Sequence, residues 1–198
     1  MGRRLDNLKR EIGNLPNMIT LGRLCLIPPT LWLLDMRDPF ANFYACLLFL
    51  LASVLDLLDG WLARRRNLIT FFGKFVDPLA DKIMVMSLLV YFTAEGRLGP
   101  AIVVILIARE FYISGIRMLA LRDRIEIVAG AGGKAKTSMQ LIGIALMLLH
   151  YAYRDPVFGY TMRCHEMGLV LLWGSVVLSV TSALSYTVRY LQALERLD

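Results

Sequence analysis

Residues 56–81 read DLLDGWLARRRNLITFFGKFVDPLAD, and they hold four carboxylates, Asp56, Asp59, Asp77 and Asp81, with a long apolar segment on either side. An acidic side chain near a bilayer midplane costs about 2.5 to 3.5 kcal/mol on insertion scales, so four of them must face one another, a cavity or a cation. On a helix, residues three and four apart share a face. Asp56, Asp59, Gly60, Ala63 and Arg64 then form one stripe, Asp77 and Asp81 form another, and two facing stripes make a nest of carboxylates. Oxygen-only ligands suit a hard divalent ion such as Mg2+, Mn2+ or Ca2+. The whole chain has only two His and three Cys from which a softer site could be built. Two hard ions about 3.5 to 4 Å apart could clamp the attacking and leaving oxygens of a phosphoryl displacement. Phosphoryl transfer is therefore the leading chemistry.

Outward from this stretch, the 198 residues are 57% hydrophobic with a mean hydropathy of +0.57, too apolar for an ordinary soluble domain. Hydropathy predicts an all-α integral membrane protein of six spans, at roughly 17–35, 41–64, 75–94, 98–121, 135–153 and 167–189, each near the ~20 residues that a bilayer requires. Short polar connections without linker or repeat make residues 17–191 one six-helix domain, followed by a tail at 192–198. Residues 1–16 form a basic juxtamembrane segment, either a short amphipathic surface helix or a disordered tail. They resemble the start of a signal peptide, but the apolar run that follows contains Arg23, Pro28 and Pro29, so the segment is expected to be retained. Cys25, Cys46 and Cys164 are widely spaced, with no disulfide or zinc pattern.

The net charge of +6 could suggest nucleic acid, but the cations cluster between hydrophobic spans, so no nucleic-acid partner is expected. Lys and Arg number four in the N-terminal segment, four over 64–74, five over 117–136 and two near the C-terminus, against Arg37, Arg97, Arg154 and Arg163 in the alternate connections. The positive-inside rule places both termini and the carboxylate nest on the cytoplasmic side.

Polar residues inside the spans are the remaining candidates. Asn17, Thr20 and Arg23 follow at i,i+3 steps in the first span, where interface anchoring competes with a binding role. Gly60 and Ala63 allow close approach of either a neighbouring helix or a flat ring. Arg64 can grip a phosphate bidentately, which a lysine cannot. Asp77 and Asp81 open the third span, with Pro78 expected in its first turn, where a missing N–H matters little. Arg109 and Arg117 in the fourth span, with Lys134 and Lys136 at the start of the fifth, form a basic set. It suits an acceptor that carries its own phosphate, although Arg117 and the lysines could also serve only topology. Glu110 is placed to orient one of the arginines. The glycines at 130–133 lack the spacing of a nucleotide loop and are expected to form a flexible connection.

The pattern Asp56-x2-Asp59-Gly60-x2-Ala63-Arg64-x8-Gly73-x3-Asp77-x3-Asp81 resembles, without a departure, the signature of the CDP-alcohol phosphotransferase family. The stretches NLPNMITLGRLCLIP, AREFYISGIR and GGKAKTSMQ extend the similarity over roughly residues 14–190, and they resemble the bacterial branch of the family that uses glycerol 3-phosphate. The resemblance implies an enzyme of the bacterial inner membrane that moves a phosphatidyl group from CDP-diacylglycerol to glycerol 3-phosphate and releases CMP. It implies Mg2+ or Mn2+, as two ions, on Asp56, Asp59, Asp77 and Asp81, with Asp81 also the catalytic base. It assigns Asn17, Thr20, Arg23, Gly60, Ala63, Arg64 and Gly73 to the nucleotide and its pyrophosphate. Arg109, Arg117, Lys134 and Lys136 are assigned to the acceptor phosphate. A homodimer is a possible assembly. Inositol phosphate, serine or phosphatidylglycerol as acceptor would stay within the family. A divalent-cation transporter could use the same carboxylates, but would be expected to show inverted repeats and broken helices, neither of which is visible here.

Overall fold

The computed structural model describes residues 15–66, 71–123, 125, 131–154 and 161–195; within these, the side chains of 15–17, 57, 59–66, 71–78, 81, 131–134 and 152–154 lie outside the description. The chain groups into two compact units, one of residues 1–91 with 148–150, the other of residues 92–147 with 151–198.

In the first unit the first predicted span is two helices, α1 (Leu15–Cys25) and α2 (Ile27–Asp35), separated at Leu26. The cause is local: Pro28 and Pro29 have no N–H to give the carbonyls one turn back, so the α1 ladder cannot run on. The Leu26 amide bonds instead to the Arg23 carbonyl at 3.0 Å, and the Thr30 hydroxyl caps the Leu26 carbonyl at 2.7 Å. Arg37 takes a positive φ of 52° in the reversal that follows. The Asp38 carboxylate then accepts the Phe40 and Ala41 amides at 2.9 and 3.0 Å, starting α3 (Pro39–Arg66) with an Asp cap and proline at its first position. Both α1 and α2 pack on α3. Leu34, Ala45, Phe49 and Ala52 are buried in this unit.

Helix α4 (Phe71–Ala94) begins one turn before the predicted span. Pro78 is therefore its eighth residue and lies in the helix interior, where a first-turn position was expected. Hydropathy misses the extension because Gly73, Lys74 and Asp77 dilute the apolar signal while leaving the helix intact. The interior proline deprives the Lys74 carbonyl of its usual donor. The chain leaves α4 through Gly96 at φ 68°, with the Arg97 and Leu98 amides both bonded to the Phe92 carbonyl, at 2.8 and 3.1 Å.

The second unit contains α5 (Pro100–Arg122), most of α6 (Ala131–Leu149), a hairpin of β1 (Ala152–Arg154) and β2 (Thr161–Arg163), and α7 (Cys164–Leu194). Helix α5 packs on α7. Ile102, Leu106, Ile113, Ile116 and Ala120 supply its buried face, against Leu172, Val176, Ala183 and Tyr190 buried along α7. Antiparallel pairing of Ala152 with Arg163 and Arg154 with Thr161 adds a small sheet to a fold expected to be helical throughout. His150, at φ 55°, ends α6 before the predicted 153. At the other end α6 starts at Ala131 and takes in Gly132 and Gly133, so these glycines are helical where a flexible connection was expected. A helix's first turn has no intrahelical amide bonds to lose, which makes it the least demanding place for glycine.

Among the described residues, three segments are long and apolar enough to cross a membrane: Met18–Asp35, Pro39–Asp56 and Cys164–Leu194. Lys82–Ala94 and Ala135–Leu149 are shorter apolar stretches, and α5 is interrupted by Arg109, Glu110 and Arg117. Val104, Phe111 and Met118 on α5, and Val170, Val177 and Leu184 on α7, recur every seventh residue and are each at least 60% exposed. Two such apolar stripes suit lipid as solvent, not water. The chain is a helical membrane protein.

Candidate active site

Helix α3 remains unbroken to Arg66, so Asp56, Asp59, Gly60, Ala63 and Arg64 do follow one another at helical spacing. The apolar window of α3 closes at Asp56, and at 1.5 Å per residue that carboxylate stands ~26 Å from Pro39. A hydrocarbon core is ~30 Å thick, so Asp56 falls near one end of the apolar layer and not at its midplane. Asp77 and Asp81 are one turn apart on α4, and Gly73 lies in its first turn. Of the four carboxylates only the Asp56 side chain is among those described; those of Asp59, Asp77 and Asp81 lie outside, as do the side chains of Asn17, Gly60, Ala63, Arg64, Gly73 and Lys134.

Asp56 has a partner that spacing could not supply. Arg23, near the end of α1 and 33 residues away, donates from Nη1 to Asp56 Oδ1 at 2.5 Å. The Arg23 side chain is 6% exposed and that of Asp56 36%, so the arginine is enclosed by the first unit and does not snorkel to an interface. Thr20, one turn earlier on α1, is fully buried. A residue assigned to the nucleotide pyrophosphate and one assigned to metal are thus brought into direct contact, and the guanidinium fixes one carboxylate oxygen of the set.

In the second unit the basic set resolves into two parts. Arg109 donates from Nε to the Ser179 carbonyl of α7 at 3.2 Å and from Nη1 to Glu110 Oε1 at 3.0 Å. The Lys136 ammonium, on α6, donates to the same Glu110 oxygen. Lys136 is buried, and Arg109 and Glu110 are half-buried. Arg117 is exposed, and eight helical residues put it about a quarter turn round and ~12 Å along from Arg109. The expectation that Glu110 orients an arginine is met, and the same carboxylate also holds Lys136. An acidic residue beside an arginine in an apolar helix, with a lysine opening the next one, was the available signal. Pairing across α5 and α6 could not be read from it.

Below this group α5 and α7 are held by the Tyr112 and Thr187 hydroxyls at 3.0 Å and by the Tyr190 hydroxyl, which donates to Asp123 Oδ2 at 2.7 Å. Tyr186, Ile125 and Leu194 pack round the buried Ile116, Ala120 and Tyr190.

A family model described as CDP-alcohol phosphatidyltransferase matches residues 13–181, which include both carboxylate helices and the basic residues of α5 and α6. The chain belongs to this family. Among similar members, the CDP-diacylglycerol--glycerol-3-phosphate 3-phosphatidyltransferase of Bacillus subtilis is 35% identical over 195 residues, 92% of this chain and 97% of its own. The protein of the same name from Rickettsia bellii is 30% identical over 173 residues, 87% of this chain and 93% of its own. That from Shigella flexneri is 34% identical over 179 residues, 87% and 92% of the two chains. As a CDP-alcohol phosphatidyltransferase, the chain presents its eight-residue signature on two consecutive helices, and the structure adds Arg23 as the first protein contact of the leading carboxylate.

Proposed function

We propose that this CDP-alcohol phosphatidyltransferase transfers the phosphatidyl group of CDP-diacylglycerol to glycerol 3-phosphate, giving phosphatidylglycerol phosphate and CMP. The observation that carries the reading is similarity over 87 to 92% of the chain, at 30 to 35% identity, to enzymes named for that reaction. The signature on α3 and α4 and a basic set fit for a phosphate-bearing acceptor support it.

The donor set on the two helices is four carboxylates at i,i+3 and i,i+4 spacing, which fits Mg2+ or Mn2+. When bound, one or two such ions supply charge neutralisation at the pyrophosphate. Asp56, Asp59, Asp77 and Asp81 are the residues that would hold them. Asp81 takes the proton of the 1-hydroxyl of glycerol 3-phosphate as that oxygen bonds to the β-phosphorus. The bond from the β-phosphorus to the bridging oxygen breaks, and the bridging oxygen leaves with CMP. Arg64 and Arg23 stabilise the charge that develops there. Asn17, Thr20, Gly60, Ala63 and Gly73 complete the nucleotide contacts, and Arg109, Arg117, Lys134 and Lys136 bind the acceptor phosphate. The three charge-bearing helices α4, α5 and α6 join the three apolar segments to make six spans. Both termini then face the cytoplasm of a bacterial inner membrane, where CDP-linked substrates are made.

The test is CMP release by purified protein with CDP-diacylglycerol and Mg2+, comparing glycerol 3-phosphate, inositol phosphate, serine and phosphatidylglycerol as acceptors. Release that requires glycerol 3-phosphate, and that falls about 10³-fold or more in Asp81→Asn, is expected from loss of a base that is also a ligand. Equal or faster release with another acceptor overturns the substrate assignment.

A further inference from the structure

Glu110 belongs to neither the carboxylate signature nor the basic set, yet two of the basic residues share one of its oxygens. Oε1 accepts from Arg109 on its own helix and from Lys136 on α6, while the other side of the Arg109 guanidinium is tied to the Ser179 carbonyl on α7. We infer that Glu110 is a positioning residue for the acceptor: it holds Arg109 and Lys136 in the arrangement that receives the phosphate of glycerol 3-phosphate. This rests on the assignment of those two cations to the acceptor made above.

Two cations enclosed side by side repel each other, and enclosing an ammonium without a counter-ion is costly. One shared carboxylate offsets both effects and leaves the trio with a net positive charge for an incoming anion. A lysine is a point charge on a flexible stem, whereas an arginine is a rigid fork. Anchoring the lysine to an oxygen that the fork already grips turns a loose pair into a fixed one. Finally, Arg109 and Glu110 stand on α5, Lys136 on α6 and the Ser179 carbonyl on α7, so the arrangement is set by helix packing and exists before the acceptor arrives. A glutamine in place of Glu110 keeps the acceptor oxygen but not the charge, and hydrogen bonds to a neutral partner are about half as strong.

Steady-state kinetics of the purified, Mg2+-supplied enzyme test this with Glu110→Gln, Glu110→Asp, Lys136→Met and the double variant Glu110→Gln/Lys136→Met. In Glu110→Gln the KM for glycerol 3-phosphate is expected to rise about tenfold or more, with the KM for CDP-diacylglycerol within about twofold of the parent and a smaller change in kcat. Glu110→Asp, with its charge retained on a shorter stem, should recover part of the loss, and it carries the same test if the Gln variant does not fold. Because part of the carboxylate's effect acts through Lys136 and part through Arg109, Glu110→Gln should cost less in the Lys136→Met background than in the parent. A rise in KM for both substrates alike, or a Glu110→Gln effect undiminished in the Lys136→Met background, overturns the positioning role. If Lys136→Met raises the KM for glycerol 3-phosphate while Glu110→Gln does not, only the role of Glu110 fails. If Lys136→Met itself leaves that KM unchanged, the assignment of the cation fails, and the inference with it.

Discussion

Arg23 and Asp56 show what a single contact can decide. The guanidinium is enclosed and donates to one oxygen of a carboxylate that begins the family signature. Partners that orient a ligating side chain typically contribute 10- to 100-fold to metal affinity or activity. Arg23→Met is therefore expected to lower kcat/KM for CMP release by about 10- to 100-fold, and Arg23→Lys by less, since an ammonium keeps the charge but loses the planar fork. Activity unchanged in both variants would reduce the pair to a tie between α1 and α3. Much of this scale was legible in the sequence, because helical spacing alone groups Asp56 with Asp59 and Asp77 with Asp81. Arg23 was singled out, but its partner was not. Contacts across 33 residues depend on where helices cross, and no local periodicity records that. The pairing of Glu110 with Lys136 was hidden for the same reason: Arg109 stands beside Glu110 in the chain, whereas Lys136 reaches it only through packing of α6.

At the scale of elements, hydropathy located the apolar helices among the described residues within about five residues, read α1 and α2 as one span, and missed what hydropathy does not measure. It reports the length of chain suited to lipid, while a helix is defined by its backbone bonds. Polar extensions such as the start of α4 and the end of α7 at Leu194 therefore escaped it, as did the hairpin between α6 and α7. Close crossings were equally hidden. A Cβ at Gly168 of α7 would lie 2.9 Å from the Gly143 carbonyl oxygen and 3.0 Å from the Met147 amide nitrogen of α6, both backbone atoms that cannot step aside. Gly168→Ala must push the helices apart, and overpacking of this kind costs about 1 to 3 kcal/mol. At Gly115 of α5 a new Cβ would meet nothing within 4 Å, so Gly115→Ala is expected to be neutral or stabilising by up to ~1 kcal/mol through helix propensity. Thermal unfolding in detergent should separate the two: a lower midpoint for Gly168→Ala and an equal or higher one for Gly115→Ala. A fall of the same size in both would show that glycine is needed at these positions for some reason other than close approach.

For the whole molecule, composition declares the solvent, and the charge distribution makes a prediction about orientation. Basic residues alternate between heavily and lightly populated connections, fifteen against four when the three inside spans are set aside. Six spans follow only if the charge-bearing helices α4, α5 and α6 cross as fully as the three apolar segments do. That combination makes a prediction about sides. Cys25, Cys46 and Cys164 form no disulfide, so a background with all three replaced can carry single reporters. Met36, Thr161 and Glu195 are exposed positions in three connections or ends. With six spans and the basic side cytoplasmic, Met36→Cys between α2 and α3 and Thr161→Cys in the hairpin should react with an impermeant maleimide in intact cells. Glu195→Cys should react only after the membrane is opened. Reporters at 36 and 161 on opposite sides would remove an odd number of crossings from α4, α5 and α6. If 195 reacts from outside while 36 and 161 are protected, the charge argument is reversed, and the carboxylate helices would face away from the compartment that holds their nucleotide substrate.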